Sequence, residues 1–185
     1  MEKTYTTQNE ILLHNLLKFY NKDNNLDKIL PIINGEDKLS IRIIDWFVTN
    51  YSKKHYTVYN IKGRNDKNIR FKVYVDYKLK LKAYSKKRFD PFCRWDRINI
   101  PYKNNTHIQT TIGQLNFFKW ALEYKIIDYI HSHIEHIEND MNSRNSTAKK
   151  KNSSNQKTRK KREELSISAI KNIKRENVEI VIKFN

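Results

Sequence analysis

The sequence predicts an α+β fold, a small antiparallel sheet packed against helices, followed by a basic flexible linker and a short C-terminal helix and strand. Three observations predict it. Apolar residues recur at helical spacing around 8–21, 38–54 and 112–137. Residues 71–84 alternate with period two instead. Residues 141–162 hold nine basic side chains, no acidic one, and no large apolar residue except Met141.

The first helix is signalled by Thr7 and Glu10 at capping-box spacing, then Ile11, Leu12, Leu16, Leu17 and Phe19. An Asp/Asn-rich turn and Pro31 break the pattern, and Asn34-Gly35 marks a turn. A second helix starts after Asp37, with Leu39, Ile43, Ile44, Trp46, Phe47 and Tyr51 as a broad apolar face. Lys53 and Lys54 fall in its last turn, where the helix dipole favours cations.

In 71–84 the odd positions are Phe71, Val73, Val75, Tyr77, Leu79, Leu81 and Ala83, and the even ones are mostly Lys and Tyr. That is a strand with one buried and one solvent face, long enough to need a bend or bulge. Tyr56, Val58 and Asn60 predict its partner strand, connected through Gly63-Arg64-Asn65-Asp66. Residues 85–105 read as a connecting loop broken by Pro91 and Pro101. Thr111 and Gln114 cap a third helix over about 112–137, carrying Ile112, Leu115, Phe118, Ala121, Leu122, Ile126, Tyr129 and Ile130.

The chain thus divides into a globular domain over 1–140, a disordered basic linker over 141–162, and a short element over 163–185. In that element a helix near 164–175 precedes a strand through Val178, Ile180, Ile182 and Phe184. Because the apolar helices precede residue 140, a chain ending at Asp140 is expected to keep its fold.

Composition narrows the function classes. The net charge is +17 over 185 residues. Aromatic residues reach 12%, which argues for a real core. The single Cys93 can neither close an intrachain disulfide nor build a Cys-rich zinc site. No apolar run approaches a membrane span, and MEKTYTTQNE lacks the order of a signal peptide. An intracellular, soluble protein with an anionic partner is expected. The charge is concentrated: residues 39–104 carry 17 basic and five acidic side chains, a net of +12, while 105–140 carry two and five, a net of −3.

The candidate binding residues follow from that distribution. Lys72, Lys78, Lys80 and Lys82 line the solvent face of the expected strand, a cation about every 7 Å, flanked by Tyr74 and Tyr84 that can stack on bases. The bland alternative is a solvated face, where Lys discourages edge pairing. Lys86, Lys87, Arg88, Arg94 and Arg97 continue the charge. Lys149, Lys150, Lys151, Lys157, Arg159, Lys160, Lys161 and Arg162 form a basic arm that binds nucleic acid by counterion release, the alternative being a plain linker. Arg159-Lys160-Lys161-Arg162 also fits a nuclear-import signal.

Catalytic readings find less support. His131, His133 and His136 with Glu135 or Glu138 lack HExxH order and a second ligand cluster, and read as the polar end of a helix. Cys93 and His107 have no third member. Asp90 and Asp96 lie among arginines and read as local ion pairs. No phosphate loop or dinucleotide fingerprint is present. No catalytic residue, metal or cofactor is expected.

Three strings carry a resemblance: Leu39–Tyr51 (LSIRIIDWFVTNY), Arg88–Arg94 (RFDPFCR) and Thr110–Ala121 (TTIGQLNFFKWA). The chain resembles a small basic protein family of large nucleocytoplasmic DNA viruses, of the mimivirus and phycodnavirus type, over roughly residues 39–130. The 27 Lys, 22 Asn and 23 Ile, all AT-rich in codon usage, agree with such a source. The resemblance implies an abundant virion protein that compacts the genome, and transfers no catalytic or ligand residue.

Residues and resemblance together predict non-enzymatic, largely sequence-independent binding and compaction of viral genomic DNA, a chromatin-like role. Duplex DNA is the expected partner, with self-association, in the virion core and the viral factory of the host cell. The alternative is a viral transcription factor or RNA-binding module, for which the host nucleus is the alternative location.

Overall fold

A computed structural model of the protein describes residues 7–62, 67–93, 96–103, 106–154 and 174–177. In chain order the elements are α1 (Gln8–Tyr20), α2 (Asn25–Asn34), α3 (Ile41–Trp46), a π-helical turn (Phe47–Tyr51), α4 (Ser52–Lys54), β1 (Val58–Lys62), β2 (Asn68–Lys72), α5 (Val73–Phe89), β3 (Arg97–Pro101), β4 (Thr106–Thr111), α6 (Ile112–Glu123), α7 (Ile126–Ser154) and β5 (Lys174–Asn177). The fold is α+β, with an antiparallel pair β1–β2 and an antiparallel three-stranded sheet in the order β3–β4–β5.

Of the two capping boxes expected, the one at Thr7 forms in full and the one at Thr111 forms by half, since Gln114 Oε1 accepts from Thr110 Oγ1 at 3.0 Å. Thr7 Oγ1 accepts from Glu10 N at 3.2 Å while Thr7 N donates to Glu10 Oε2 at 3.1 Å. Thr111 Oγ1 accepts from Gln114 N at 3.2 Å and starts α6. Ser40 caps α3 through its hydroxyl, and Gly35, at φ 76°, ends α2 in the left-handed conformation that glycine adopts without strain.

The largest correction concerns residues 73–84, expected as a strand and found in α5. Only β2, ending at Lys72, is extended, and it is the strand that pairs with β1. Period two and period 3.6 agree at Val73, Tyr77 and Leu81, so the row of odd apolar residues fits both. They disagree at Val75 and Leu79, which a strand would bury and which are 51% and 60% exposed. The helix is fixed by its other side: Asp76 Oδ1 accepts from Trp120 Nε1 at 2.6 Å, and Tyr77 packs among Phe89, Phe117 and Trp120. Lys, Leu and Ala are also good helix formers. A kink at Ser85 (φ 62°) turns the last residues of α5.

Smaller corrections follow the same logic. Pro31 sits inside α2 rather than ending it, because Ile29, Leu30, Ile32 and Ile33 are all buried and hold the helix despite the missing N–H. The expected loop over 85–105 contains the end of α5 and the strand β3, whose Pro101 is tolerated on an edge strand. The single helix expected over 112–137 is two, separated at Tyr124 and Lys125, the latter at φ 53°.

The boundary expected at residue 140 falls inside α7, which runs on through Ser154. Extending a formed helix is cheaper than starting one. Met141 is buried, and Arg144 reaches back to Asp140 at 3.8 Å and over the Trp46 ring at 5.6 Å. Lys174 and Arg175, expected in a helix, belong to β5, which pairs with β4 of the same chain. Residues 164–173 and 178–184, expected as helix and strand, lie outside the described residues. A chain cut at Asp140 therefore loses a strand of its own sheet.

The core joins α1, α2, α3, α5, α6 and α7. Phe47, Phe89, Phe117 and Phe118 are fully buried, and Trp46 packs partly buried against them. At Gly113 the backbone of the residue 87–93 segment comes so close that a Cβ would lie 2.9 Å from Lys87 O and 3.2 Å from Asp90 O.

Candidate nucleic-acid interface

Residues 53–88 hold 13 basic and two acidic side chains, a net of +11. The described residues of this stretch lie mainly on α4, the β1–β2 ribbon and α5. In the ribbon the register pairs Tyr59 with Phe71 and Ile61 with Ile69 on one face. On the other face it pairs Asn60 with Arg70, Lys62 with Asn68 and Val58 with Lys72.

The first face is the mount. Phe71 stacks on Tyr124 at 4.6 Å, Tyr59 stacks on Tyr129 at 4.9 Å, and Tyr59 Oη donates to Tyr124 O at 2.8 Å. Burial pushes the Tyr59 hydroxyl well above its ordinary range, reinforced by Tyr129 and Asp128, so it stays a proton donor. The second face is open: Asn60, Lys62, Asn68, Arg70 and Lys72 are all exposed. Of the cations there, only Lys72 is predicted from the sequence. Lys62 and Arg70 were legible as charge within the +12 block, but their placement required the hairpin register.

Alpha-helical geometry splits the expected lysine row. Lys78 and Lys82, four apart, share an exposed face of α5 with Val75 and Leu79. Together with Tyr74 and Leu81 they line a shallow groove of about 530 Å³. Lys80 points elsewhere, its Nζ 5.7 Å from the centre of the Tyr124 ring. Tyr74 lies under Lys53 Nζ at 5.7 Å, and Tyr84 stacks on Phe89, which occupies both rings expected to be available to bases.

The remaining predicted cations divide by what they touch. Lys86 is exposed beyond the kink. Lys87 pairs with Asp96 at 2.8 Å. Arg88 faces α1, donating from Nε to Asn9 Oδ1 at 2.8 Å and from Nη1 to Gln8 Oε1 at 3.1 Å, so it ties the end of α5 to the start of α1. Arg97 reaches across the sheet to Gln109 Oε1 at 2.8 Å. Lys149, Lys150 and Lys151 fall within α7. Arg94, Lys157, Arg159, Lys160, Lys161 and Arg162 lie outside the described residues.

Titratable groups elsewhere are tied into the fold. Burial, helped by the Asp90 charge, pushes the Asp45 carboxyl up to about 6. Asp90 itself accepts from Phe92 N at 2.8 Å. At Asp140, 8% exposed, burial raises the carboxyl, but hydrogen bonds from Lys54 and Trp46 and the charges of Lys54 and Arg144 outweigh it and hold the group below its ordinary range. His133 stacks on Tyr129 at 4.2 Å with Nδ1 2.9 Å from Tyr129 O. Cys93 is buried, its Sγ 3.4 Å from Lys87 O. Among the described residues no three His, Cys, Asp or Glu side chains are grouped to hold a metal ion, and no helix is long and apolar enough to cross a membrane.

Residues 1–185 match the Family of unknown function (DUF7197), and the chain belongs to that family. The "Uncharacterized protein L507" of Acanthamoeba polyphaga mimivirus is 51% identical over 112 residues, covering 58% of this chain. That stretch is 43% of the relative, so the chain spans less than half of its length. The relative bears out the resemblance to a giant-virus protein family. No solved structure matches the fold.

Proposed function

We propose that this member of the DUF7197 family is a non-enzymatic protein that binds duplex DNA largely without sequence choice and compacts it in a giant-virus particle or viral factory. The observation that carries this reading is the net of +11 over residues 53–88, of which Arg70 and Lys72 lie on an exposed ribbon face and Lys78 and Lys82 on an exposed helix face. Among the described cations of the stretch, ion pairs with carboxylates are formed by Lys54 and Lys87, while Arg70, Lys72, Lys78 and Lys82 form none. An uncompensated array of this kind binds polyanions by releasing counterions, a term that does not depend on base sequence. Compaction adds bridging, by self-association or by the basic residues 149–162 reaching a second duplex.

The test is a mobility-shift titration of the full chain on double- and single-stranded DNA and RNA across salt concentrations, with light scattering of long DNA. The expected result is tight duplex binding whose log affinity falls with log salt by about 0.9 per phosphate neutralised, with scattering rising at saturation. A flat salt response, or binding without any compaction, overturns the reading.

A further inference from the structure

We infer that the open face of the β1–β2 ribbon is the element that enters the major groove of duplex DNA, with Lys62 and Lys72 on the phosphate walls and Asn60, Asn68 and Arg70 over the base edges. The inference deepens the proposed function and rests on it. A two-stranded antiparallel ribbon has its strands about 4.8 Å apart, and a groove about 12 Å wide admits it with side chains. Lys62 and Lys72 lie on opposite strands at opposite ends of the paired segment. Laid along the groove, the ribbon turns β1 to one wall and β2 to the other, so Lys62 and Lys72 face opposite phosphate walls, four residue levels or about 13 Å apart along the groove. Between them the face offers two amides and a guanidinium, the groups that pair with purine edges in that groove.

The ribbon is also built for insertion. Its apolar face is fixed by the Phe71–Tyr124 and Tyr59–Tyr129 stacks, so the open face is presented without ordering a loop. Ile69, 49% exposed, shows that the ribbon overhangs its mount. The Lys78/Lys82 face of α5 lacks such groups and is suited to phosphate contact alone.

Four duplex probes of one sequence test this with the full chain: plain DNA, DNA carrying glucosylated 5-hydroxymethylcytosine in the major groove, DNA with netropsin in the minor groove, and duplex RNA, whose major groove is too deep and narrow to read. Plain and netropsin-bound DNA should bind alike. Glucosylated DNA and RNA should bind about tenfold more weakly. The Arg70→Gln/Lys72→Gln variant, changed only at exposed positions, should lower the salt slope by about one, through Lys72, and bind plain and glucosylated DNA equally. Equal binding of plain and glucosylated DNA by the unaltered chain, with salt dependence intact, overturns the ribbon inference and leaves the proposed function standing. Binding to none of the four overturns both.

Discussion

Replacing Asp45 by Asn should stabilise the protein, and only above a defined pH. Asp45 lies on α3, mostly buried, where desolvation and then the Asp90 charge raise its carboxyl from the ordinary 3.8 to about 6. A carboxyl raised in the folded state binds its proton more tightly folded than unfolded. Its favourable contribution is full below about 3.8 and is lost as pH rises through about 6. At about 1.4 kcal/mol per pH unit, the rise corresponds to about 3 kcal/mol of destabilisation at pH 7.5 relative to pH 3.5. Residual solvation of the carboxylate makes that figure a ceiling. Asn keeps the side-chain shape and leaves the backbone carbonyl that accepts from Thr49 Oγ1 at 2.6 Å. The assay is urea unfolding, which unlike guanidinium does not screen charge, at steps from pH 3.5 to 8. The variant should gain up to about 3 kcal/mol at pH 7.5 and almost nothing at pH 3.5, with the difference opening from about pH 4 and levelling off above about 6. A gain independent of pH, or a loss at pH 7.5, would refute the electrostatic origin. Asp90 is a poorer target, because its carboxylate also accepts from Phe92 N.

Three further outcomes separate structural from binding roles. Lys78→Gln/Lys82→Gln should lower the salt slope of DNA binding by about two, whereas Lys80→Gln should leave it unchanged because that ammonium lies over Tyr124; shift titrations decide. Asp140→Ala strands Trp46 Nε1 and should cost about 1–3 kcal/mol in urea at pH 7. Its lowered carboxyl works opposite to Asp45, adding stability that disappears as pH falls through the folded value, so the penalty should shrink in acid. Gly113→Ala forces a Cβ to within 2.9 Å of Lys87 O, which is backbone and cannot swing away, and should lower the urea midpoint by about 1–3 kcal/mol equivalent.

What the sequence discloses depends on whether a residue's role is local. The capping box at Thr7 is read correctly because Glu10 lies three residues on, while at Thr111 only the hydroxyl half holds, the Gln114 side chain being taken by Thr110. Val58 and Asn60 are rightly strand, yet their partner is 68–72, since nothing local distinguishes Phe71 as the end of one alternation from Phe71 as its beginning. The alternation of 71–84 is degenerate between strand and helix until burial is known at Val75 and Leu79. The break at Lys125 is invisible because lysine gives no signal for a positive φ. Strand β3 is missed because Pro91 and Pro101 make its surroundings read as a loop, β4 because Ile108 is its one large apolar residue, and β5 because its partner lies more than sixty residues upstream in sequence.

The same distinction explains why the candidate interface was half legible. Charge is additive along a chain, so the basic block is evident, but which cations share a face is a register property. As a strand, Lys78, Lys80 and Lys82 would form one row; as a helix, the middle one turns inward to an aromatic ring. The face that replaces them, Lys62, Arg70 and Lys72, is assembled across two strands. An isolated two-stranded ribbon is marginal in water, so it needs cover, and the cover comes from Tyr124 and Tyr129. Those residues belong to the 105–140 stretch, whose net charge is −3. The acidic stretch therefore backs the basic one in two ways: it supplies the aromatic cover, and its Asp140 pairs with Lys54, while Arg70, Lys72, Lys78 and Lys82 keep their charge without a carboxylate partner among the described residues.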